Sequence, residues 1–95
     1  MSNSDTWHLY LIRCADGSLY TGITTDICRR LREHEEGRGA RRLRGRAPLA
    51  VVFNEAVGDR SHALRLEHRV KRLRRSQKEL LISGALGLTD LAKER

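Results

Sequence analysis

The clearest pattern along the chain is a pair of short apolar runs near its start, separated by a turn. In residues 7–13 both alternating sets of side chains are apolar or aromatic, which predicts a central strand with two covered faces. The Asp-Gly pair at residues 16–17 favours a tight hairpin, and residues 19–23 form the returning strand. Because a hairpin pairs residues that are symmetric about its turn, we expect Tyr10 and Tyr20 to lie near each other.

The next segment carries the signals of a helix. Residues 24–26 are Thr-Thr-Asp and offer side-chain oxygens that can cap a helix, and Gly37 stands where a C-cap glycine is expected. We therefore predict a helix over residues 27–36. Residues 37–48 are rich in glycine and arginine and predict a flexible basic loop, of a length that often accompanies function.

The remaining pattern predicts one more strand and two or three helices. Residues 49–57 are rich in valine and other apolar residues, as expected for a strand. From residue 62 onward, apolar side chains recur at helical spacing and form a narrow stripe between basic residues. We expect Ser76 to cap a further helix over residues 77–83, followed in residues 84–95 by a short helix or a tail.

The order strand, strand, helix, strand, helix, helix predicts an α+β fold. The natural arrangement is a three-stranded, mainly antiparallel sheet flanked by helices. A chain of 95 residues has room for one small domain, which we place at residues 7–83. Residues 1–6 are expected to form a flexible N-terminus, and residues 84–95 the C-terminal segment.

The charge balance points to an anionic partner. The chain has 19 Lys and Arg residues against 12 Asp and Glu, a formal net charge of +7. Arginine supplies most of the excess and can bind phosphate in a bidentate manner, which favours nucleic acid. Most of these cations fall in two blocks, residues 29–46 and 60–78. A solvated basic surface without a specific partner is the alternative interpretation.

Other features narrow the class of protein. No apolar run approaches the roughly 18 residues of a membrane span, and the polar first residues do not resemble a secretory signal. Cys14 and Cys28 are the only cysteines, and their separation does not match the close pairs of zinc sites, although His8 and His34 could complete a set of four ligands. We expect reduced thiols, a cytoplasmic location and no membrane partner.

Several polar residues could form a catalytic site, and each also has a plain structural interpretation. Glu67 flanks the apolar stripe of the second helix, either as an ordinary neutralised carboxylate or as a Mg²⁺ ligand at the edge of a basic cleft. Tyr10 and Tyr20 are either a cross-strand aromatic pair or hydroxyls that reach a cleft. Arg30 and His34 are four residues apart and share a helix face. Together these side chains are the parts required for phosphodiester hydrolysis.

Their spacing resembles that of the GIY-YIG nuclease family. Two tyrosine motifs stand ten residues apart, and an arginine, a histidine and a helical glutamate follow them at compatible spacing. The matching residues are Leu9-Tyr10, Tyr20-Thr21-Gly22, Arg30, His34 and Glu67. The resemblance covers residues 7–81 and is strongest to small single-domain bacterial members, a branch similar to the catalytic subunit of a eukaryotic structure-selective junction endonuclease. His8 and Thr21 depart from the motifs, which have glycine and isoleucine there.

The resemblance implies a DNA endonuclease with a catalytic Mg²⁺ (or Mn²⁺), structure-selective in DNA repair or recombination. Tyr10 and Tyr20 would line the site and help to activate or position the water. Arg30 would bind the scissile phosphate, and His34 would assist proton transfer or contact the phosphate. Glu67 would hold the metal ion. The cations expected to contact nucleic acid are Arg29, Arg41, Arg42, Arg44, Arg46, Arg69 and Lys71.

Two other functions compete with this hypothesis. One is a DNA- or RNA-binding module that keeps the GIY-YIG fold but is catalytically weak or inactive. The other is a small RNA-associated basic protein, which the scarcity of aromatic side chains for base stacking disfavours. The oligomeric state, monomer or dimer, is left open by the sequence.

Overall fold

The hairpin near the start of the chain forms as its apolar pattern predicts. In the computed structural model, which describes residues 6–92, strand β1 spans Trp7–Arg13 and strand β2 spans Leu19–Thr24. The carboxylate of Asp16 accepts two hydrogen bonds within the turn, and Gly17 has a positive φ of 87°. A positive φ is a conformation that glycine adopts without steric cost, so the turn residues suit their positions.

A third strand completes the sheet on the other side of β1. Strand β3 spans Ala50–Gly58 and pairs with β1 in antiparallel orientation, which makes the strand order β2-β1-β3. The central position of β1 explains why Leu9, Leu11 and Ile12 are all 0% exposed. The predicted three-stranded antiparallel sheet with flanking helices is therefore confirmed, and β2 is an edge strand.

Within residues 6–92, four α-helices and one short 3-10 helix surround the sheet. The α-helices are α1 (Ile27–Glu35), α2 (Arg60–Lys71), α3 (Arg75–Ser83) and α4 (Leu88–Ala92), and the 3-10 helix spans Arg41–Leu43. The carboxylates of Asp26 and Asp59 cap α1 and α2 by accepting backbone N–H bonds from Arg29 and His62. These caps satisfy N–H groups that a helix start would otherwise leave without partners.

Two local predictions were wrong. Ser76 does not cap α3: the helix begins at Arg75, and the side-chain oxygen of Gln77 accepts the backbone N–H of Arg74. The basic loop after α1 is not wholly irregular, because it contains the 3-10 helix. Leu43 ends this 3-10 helix and is 2% exposed, so its burial gives the loop a fixed position on the sheet.

The two faces of the sheet bury different sets of side chains. On one face, α2, α3 and α4 form a core with β1 through Leu9, Leu11, Leu66, Val70, Leu81, Leu88 and Leu91. On the other face, the core consists of Tyr10, Ile12, Cys14, Leu43 and Leu49, with α1 packed against it. Alternation along β1 sends successive side chains to opposite faces and so produces both clusters.

Of the two alternatives for the C-terminal segment, the described residues up to 92 show the short helix, α4. Leu88 and Leu91 of α4 are 4% and 3% exposed and pack in the first core. The expected flexible terminus falls mostly on residues 1–5, which lie outside the described residues. Within residues 6–92, none of the helices combines the length and apolar character that a membrane crossing requires.

Replacing Leu11 with alanine should strongly destabilise the fold. Leu11 is fully buried in β1, so Leu11→Ala removes buried methyl groups and leaves a cavity, at a cost of about 2–5 kcal/mol. Leu80→Ala is the matched control, because Leu80 is 46% exposed. Urea unfolding of both variants measures the free energy of unfolding. Equal losses in the two variants would contradict the assigned core.

Candidate active site

Tyr10 lies beside the backbone of the edge strand because the residue opposite it has no side chain. In the hairpin register Tyr10 is paired with Gly22. A Cβ on Gly22 would lie 2.5 Å from the Tyr10 hydroxyl oxygen, which is closer than nonbonded atoms can approach. Gly22 therefore leaves the space that the tip of the Tyr10 ring occupies.

His34 of α1 holds the Tyr10 hydroxyl in place. The His34 Nε2 and Tyr10 Oη atoms are 2.9 Å apart, and the backbone N–H of Ala40 donates to His34 Nδ1 at 3.1 Å. An N–H group can only donate, so Nδ1 is the acceptor and the neutral imidazole carries its proton on Nε2. His34 thus donates to Tyr10 Oη and leaves the tyrosine proton free for another acceptor.

Gly39 makes room for the imidazole in the same way. A Cβ on Gly39 would lie 2.1 Å from His34 Nδ1 and 3.0 Å from the His34 Cα. The loop after α1 can therefore approach closely enough for the Ala40 N–H to reach His34. Sequence reasoning missed the steric role of Gly22 and Gly39, although Gly22 belongs to a recognised motif, because only the fold shows which side chain approaches each glycine.

Tyr20 completes an aromatic cluster with Tyr10 and His34. The Tyr20 ring centroid lies 6.3 Å from that of Tyr10 and 5.6 Å from that of His34, with an edge-on arrangement to the histidine. Tyr20 is paired with Ile12, so the two tyrosines are diagonal neighbours and not direct partners. The expected proximity of Tyr10 and Tyr20 is confirmed.

Burial keeps both members of the Tyr10–His34 pair neutral near pH 7. Burial raises the pKa of Tyr10 to about 12, and the neighbouring Tyr20 adds to this rise, while Arg30 opposes it. Burial also lowers the pKa of His34, and the positive charge of Arg30 lowers it further against the opposing effect of Glu33. Tyr10 is therefore a protonated phenol, and His34 is an uncharged donor.

Arg30 brings positive charge to this neutral cluster. Its guanidinium Nη1 donates to the Glu33 carboxylate at 2.9 Å, and its interaction with Tyr10 opposes the rise in the pKa of the tyrosine. The Arg30 side chain is 35% exposed, so part of its guanidinium group faces solvent. A guanidinium in this position can bind an anion that contacts the Tyr10 hydroxyl.

Glu67 contributes a carboxylate from α2, on the opposite face of the sheet. Its negative charge contributes to the raised pKa of Tyr10. Glu67 is 17% exposed at its side chain and lies 3.3 Å from the Lys71 ammonium, one helical turn away. The sequence-predicted residues Tyr10, Tyr20 and His34 thus form one ring cluster, and the charges of Arg30 and Glu67 both act on Tyr10.

The donor set suits a hydrated hard cation better than zinc. Among residues 6–92, no three His, Cys, Asp or Glu side chains are grouped so that they could hold a metal ion. Mg²⁺ keeps several of its waters and can be held by one carboxylate together with substrate phosphate oxygens, so a single Glu67 fits it. Cys14 is buried and Cys28 exposed, and both are free thiols, so the zinc alternative has no cluster among these residues.

The cations expected to contact nucleic acid occupy different positions. Arg29, Arg41, Arg42 and Arg44 are exposed on α1 and the loop after it, and Lys71 is exposed at the end of α2. Arg46 forms an ion pair with Asp16 at 2.8 Å, on the hairpin turn. Arg69 donates to the backbone carbonyl of Leu91 at 3.0 Å and so connects α2 to α4.

Comparison with known proteins identifies the relatives of this chain. Residues 6–80 match the family of the GIY-YIG catalytic domain. The UPF0213 protein SG0387 of Sodalis glossinidius (strain morsitans) is 59% identical over 80 residues, which cover 84% of this chain and 75% of the relative. The UPF0213 protein YhbQ of Escherichia coli (strain K12) is 55% identical over 85 residues, covering 90% of this chain and 85% of the relative.

A solved structure agrees with the fold. The solution NMR structure of the protein EF2693 from E. faecalis is 36% identical in sequence and has a TM-score of 0.62. The superposition covers 100% of this chain and 96% of the other. The arrangement of one sheet with flanking helices is therefore shared by a protein whose structure was determined by experiment.

The neutral state of His34 should make stability depend on pH. The unfolded chain protonates His34 near its usual pKa of 6.5, whereas the folded chain resists protonation until a lower pH. The unfolded state therefore binds more protons below about pH 6.5, and the free energy of unfolding should fall as the pH drops from about 7.5 to 5.5. Urea unfolding across this range measures how steeply the free energy of unfolding depends on pH. This dependence should be weaker in His34→Gln, and an unchanged dependence would contradict a buried neutral His34.

Gly22→Ala should disturb the Tyr10–His34 pair. The new methyl group would overlap the Tyr10 hydroxyl and force the ring away from His34. We expect a loss of about 1–3 kcal/mol in the free energy of unfolding, from overpacking and a broken buried hydrogen bond. Gly87→Ala is the control, because its nearest contacts are an ordinary 3.6 Å away. Chemical denaturation compares the two variants, and a Gly22→Ala protein as stable as the control would disprove the close approach.

Proposed function

The chain belongs to the GIY-YIG family, and from that premise we propose that it is a Mg²⁺-dependent DNA endonuclease that hydrolyses phosphodiester bonds. The observation that carries the proposal is the cluster of Tyr10, Tyr20, Arg30 and His34 at one edge of the sheet. Hydrolysis of a phosphodiester requires a positioned water and positive charge at the phosphate, and these side chains offer both.

Arg30 is proposed to bind the scissile phosphate. The bond to Glu33 holds one arm of the guanidinium, and the partly exposed remainder can donate to two phosphate oxygens. Negative charge grows on these oxygens as the water attacks, so a fixed guanidinium stabilises the transition state more than the bound substrate. Tyr10 and His34 beside Arg30 are neutral, so Glu33 is the charged group bonded to the guanidinium.

Tyr10 and Tyr20 are proposed to orient the attacking water. With a pKa of about 12, Tyr10 holds its proton in the free protein and does not begin the reaction as a phenolate. Its oxygen already accepts the Nε2–H of His34, so its own proton is directed to another oxygen, such as that of water or phosphate. Tyr20, with its ring beside both groups, supplies a second hydroxyl for the same water.

His34 is proposed to act as a positioning residue. Proton acceptance at Nδ1 would require loss of the Ala40 N–H bond, and Nε2 already carries a proton. The direction of its pKa shift opposes a charged imidazolium near pH 7. The family resemblance implies proton transfer or phosphate contact for this residue. Its hydrogen bonds instead favour a role in holding the Tyr10 hydroxyl.

Glu67 is proposed to hold the divalent cation. A bound Mg²⁺ would supply positive charge to the phosphate oxygens and lower the pKa of a coordinated water. The carboxylate is only partly exposed and has Lys71 as its partner, so the ammonium would have to move aside when a cation binds. Before metal binds, the ion pair with Lys71 orients the carboxylate.

We further propose that the protein selects branched DNA in repair or recombination. The exposed arginines of α1 and the following loop could contact duplex arms on either side of the scissile phosphate. The competing hypothesis is a nucleic-acid-binding module with little or no turnover. It predicts salt-sensitive binding without metal-dependent product, so a cleavage assay separates the two.

Cleavage of DNA should require Mg²⁺, Glu67 and Arg30. Purified protein is incubated with duplex, flap and junction DNAs, with and without Mg²⁺, and products are resolved on denaturing gels. Glu67→Gln and Arg30→Ala should each lower the cleavage rate by about 100-fold or more, because each removes charge needed at the transition state. Mn²⁺ should replace Mg²⁺.

Two matched variants control for cleavage by contaminating nucleases and for a general effect of losing a charge. Glu55→Gln removes an exposed carboxylate from β3, and Arg65→Ala removes an exposed arginine from α2. Both should cleave at nearly the rate of the unmodified protein. Undiminished cleavage by Glu67→Gln protein would refute the proposed mechanism, and binding without cleavage on every substrate would favour the non-catalytic alternative.

A further inference from the structure

A strongly basic pocket lies beside the candidate active site. It has a volume of about 190 Å³ and opens at the edge strand β2. Its walls are formed by Leu19, Tyr20, Thr21, Arg42, Lys71 and Lys78. Tyr20 belongs to both this pocket and the aromatic cluster, and Lys71 is the ion-pair partner of Glu67. The pocket is therefore continuous with the site proposed for catalysis.

Three cations from three separate elements converge on this pocket. Arg42 comes from the 3-10 helix, Lys71 from the end of α2, and Lys78 from α3. No carboxylate lines the pocket, and within residues 6–92 no carboxylate forms an ion pair with Arg42 or Lys78. Burial lowers the pKa of Lys78, and the charges of Arg42 and Lys71 lower it further. Like charges in this arrangement repel one another until an anion binds between them.

Thr21, which also lines this pocket, carries an unsatisfied polar atom. The residue is 4% exposed, and its buried Oγ1 has no hydrogen-bond partner among the described residues. A buried hydroxyl without a partner is costly, so its presence calls for an explanation. Thr21 also departs from the family motif, which has isoleucine at this position. A ligand oxygen in the pocket would give the hydroxyl the acceptor that the protein does not provide.

We propose that this pocket is a phosphate subsite, formed by Arg42, Lys71, Lys78 and the Thr21 hydroxyl. It binds a phosphate of the substrate strand next to the one held by Arg30, and this assignment rests on the proposed function. Phosphate oxygens are acceptors only, and the cationic groups of the pocket are donors only, so their chemistry is complementary. Neither Lys78 nor Thr21 was expected from the sequence to contact nucleic acid, whereas Arg42 and Lys71 were.

The subsite has a mechanical consequence for cleavage. A strand fixed at two phosphates has a defined direction across Tyr20, whereas one phosphate contact leaves it free to rotate. The phosphate in the subsite would also draw Lys71 toward it and away from Glu67. Occupation of the pocket would thereby free the carboxylate that is proposed to hold the metal ion, so binding of the strand and binding of the cation would favour each other.

Binding without turnover tests the subsite independently of nuclease activity. Fluorescence anisotropy measures the affinity for a labelled oligonucleotide in EDTA, over a range of KCl concentrations. Lys78→Gln and Arg42→Gln should each weaken binding by about 5- to 10-fold and lower the magnitude of the salt slope by about 0.7–0.9. Arg65→Gln is the matched control, because Arg65 lies on the exposed side of α2, bonded to Ser61, outside the pocket. It should change affinity less than twofold.

Thr21→Val separates ligand binding from folding. Valine keeps the shape of threonine and removes the unpartnered hydroxyl, so the urea midpoint should stay the same or rise. Oligonucleotide affinity should nevertheless fall by about 2- to 5-fold, because one hydrogen bond to phosphate is lost. A fall in stability together with unchanged affinity would show that the hydroxyl has a purely structural role and would remove Thr21 from the subsite.

Titration with inorganic phosphate identifies the source of the ligand. NMR spectra of the unmodified protein should show phosphate-dependent shifts at Thr21 and Lys78 that Lys78→Gln abolishes, with further shifts at Arg30 only when the oligonucleotide is used. Wild-type affinity and salt slope in Lys78→Gln and Arg42→Gln, with no phosphate-dependent shift in the pocket, would overturn the subsite. Metal-dependent cleavage lost in Glu67→Gln would still support the proposed function in that case, so the two failures are distinguishable.

Discussion

The hydrogen bond between the Tyr10 hydroxyl and the His34 imidazole is the contact on which the candidate site depends. It joins the central strand to α1 across 24 residues of sequence, and both partners are buried. Two glycines permit it, since side chains at Gly22 or Gly39 would occupy the space of the phenol or of the imidazole. The Ala40 N–H then selects the tautomer that points the remaining imidazole proton at Tyr10.

This buried pair also determines where charge can reside. A neutral phenol and a neutral imidazole leave Arg30 as the cation within the cluster, and the negative charge of Glu67 acts on Tyr10 from α2. The proposed phosphodiester chemistry uses both charges, the guanidinium at the phosphate and the carboxylate at a divalent cation. The basic pocket beside Tyr20 extends the positive surface along the edge strand.

Local chemistry in the sequence was sufficient for much of the fold. The Asp-Gly turn, the Asp26 and Asp59 caps and the alternation along β1 each act within a few residues, so the elements could be predicted with only small errors in their bounds. The start of α3 was misplaced because Ser76 is a common capping residue and was expected to cap the helix. The backbone N–H of Arg74 instead donates to the side-chain oxygen of Gln77.

The sequence by itself determined the α+β architecture, the basic charge and the residue types that resemble a nuclease site, because periodicity, turn chemistry and motif spacing are properties of the chain. Only the tertiary structure decided which of those side chains meet. The use of Gly22 as space for a ring, the tautomer of His34 and the convergence of Arg42, Lys71 and Lys78 all arise between elements distant in sequence. Packing sets such contacts, and no local pattern encodes the distance between atoms on different elements.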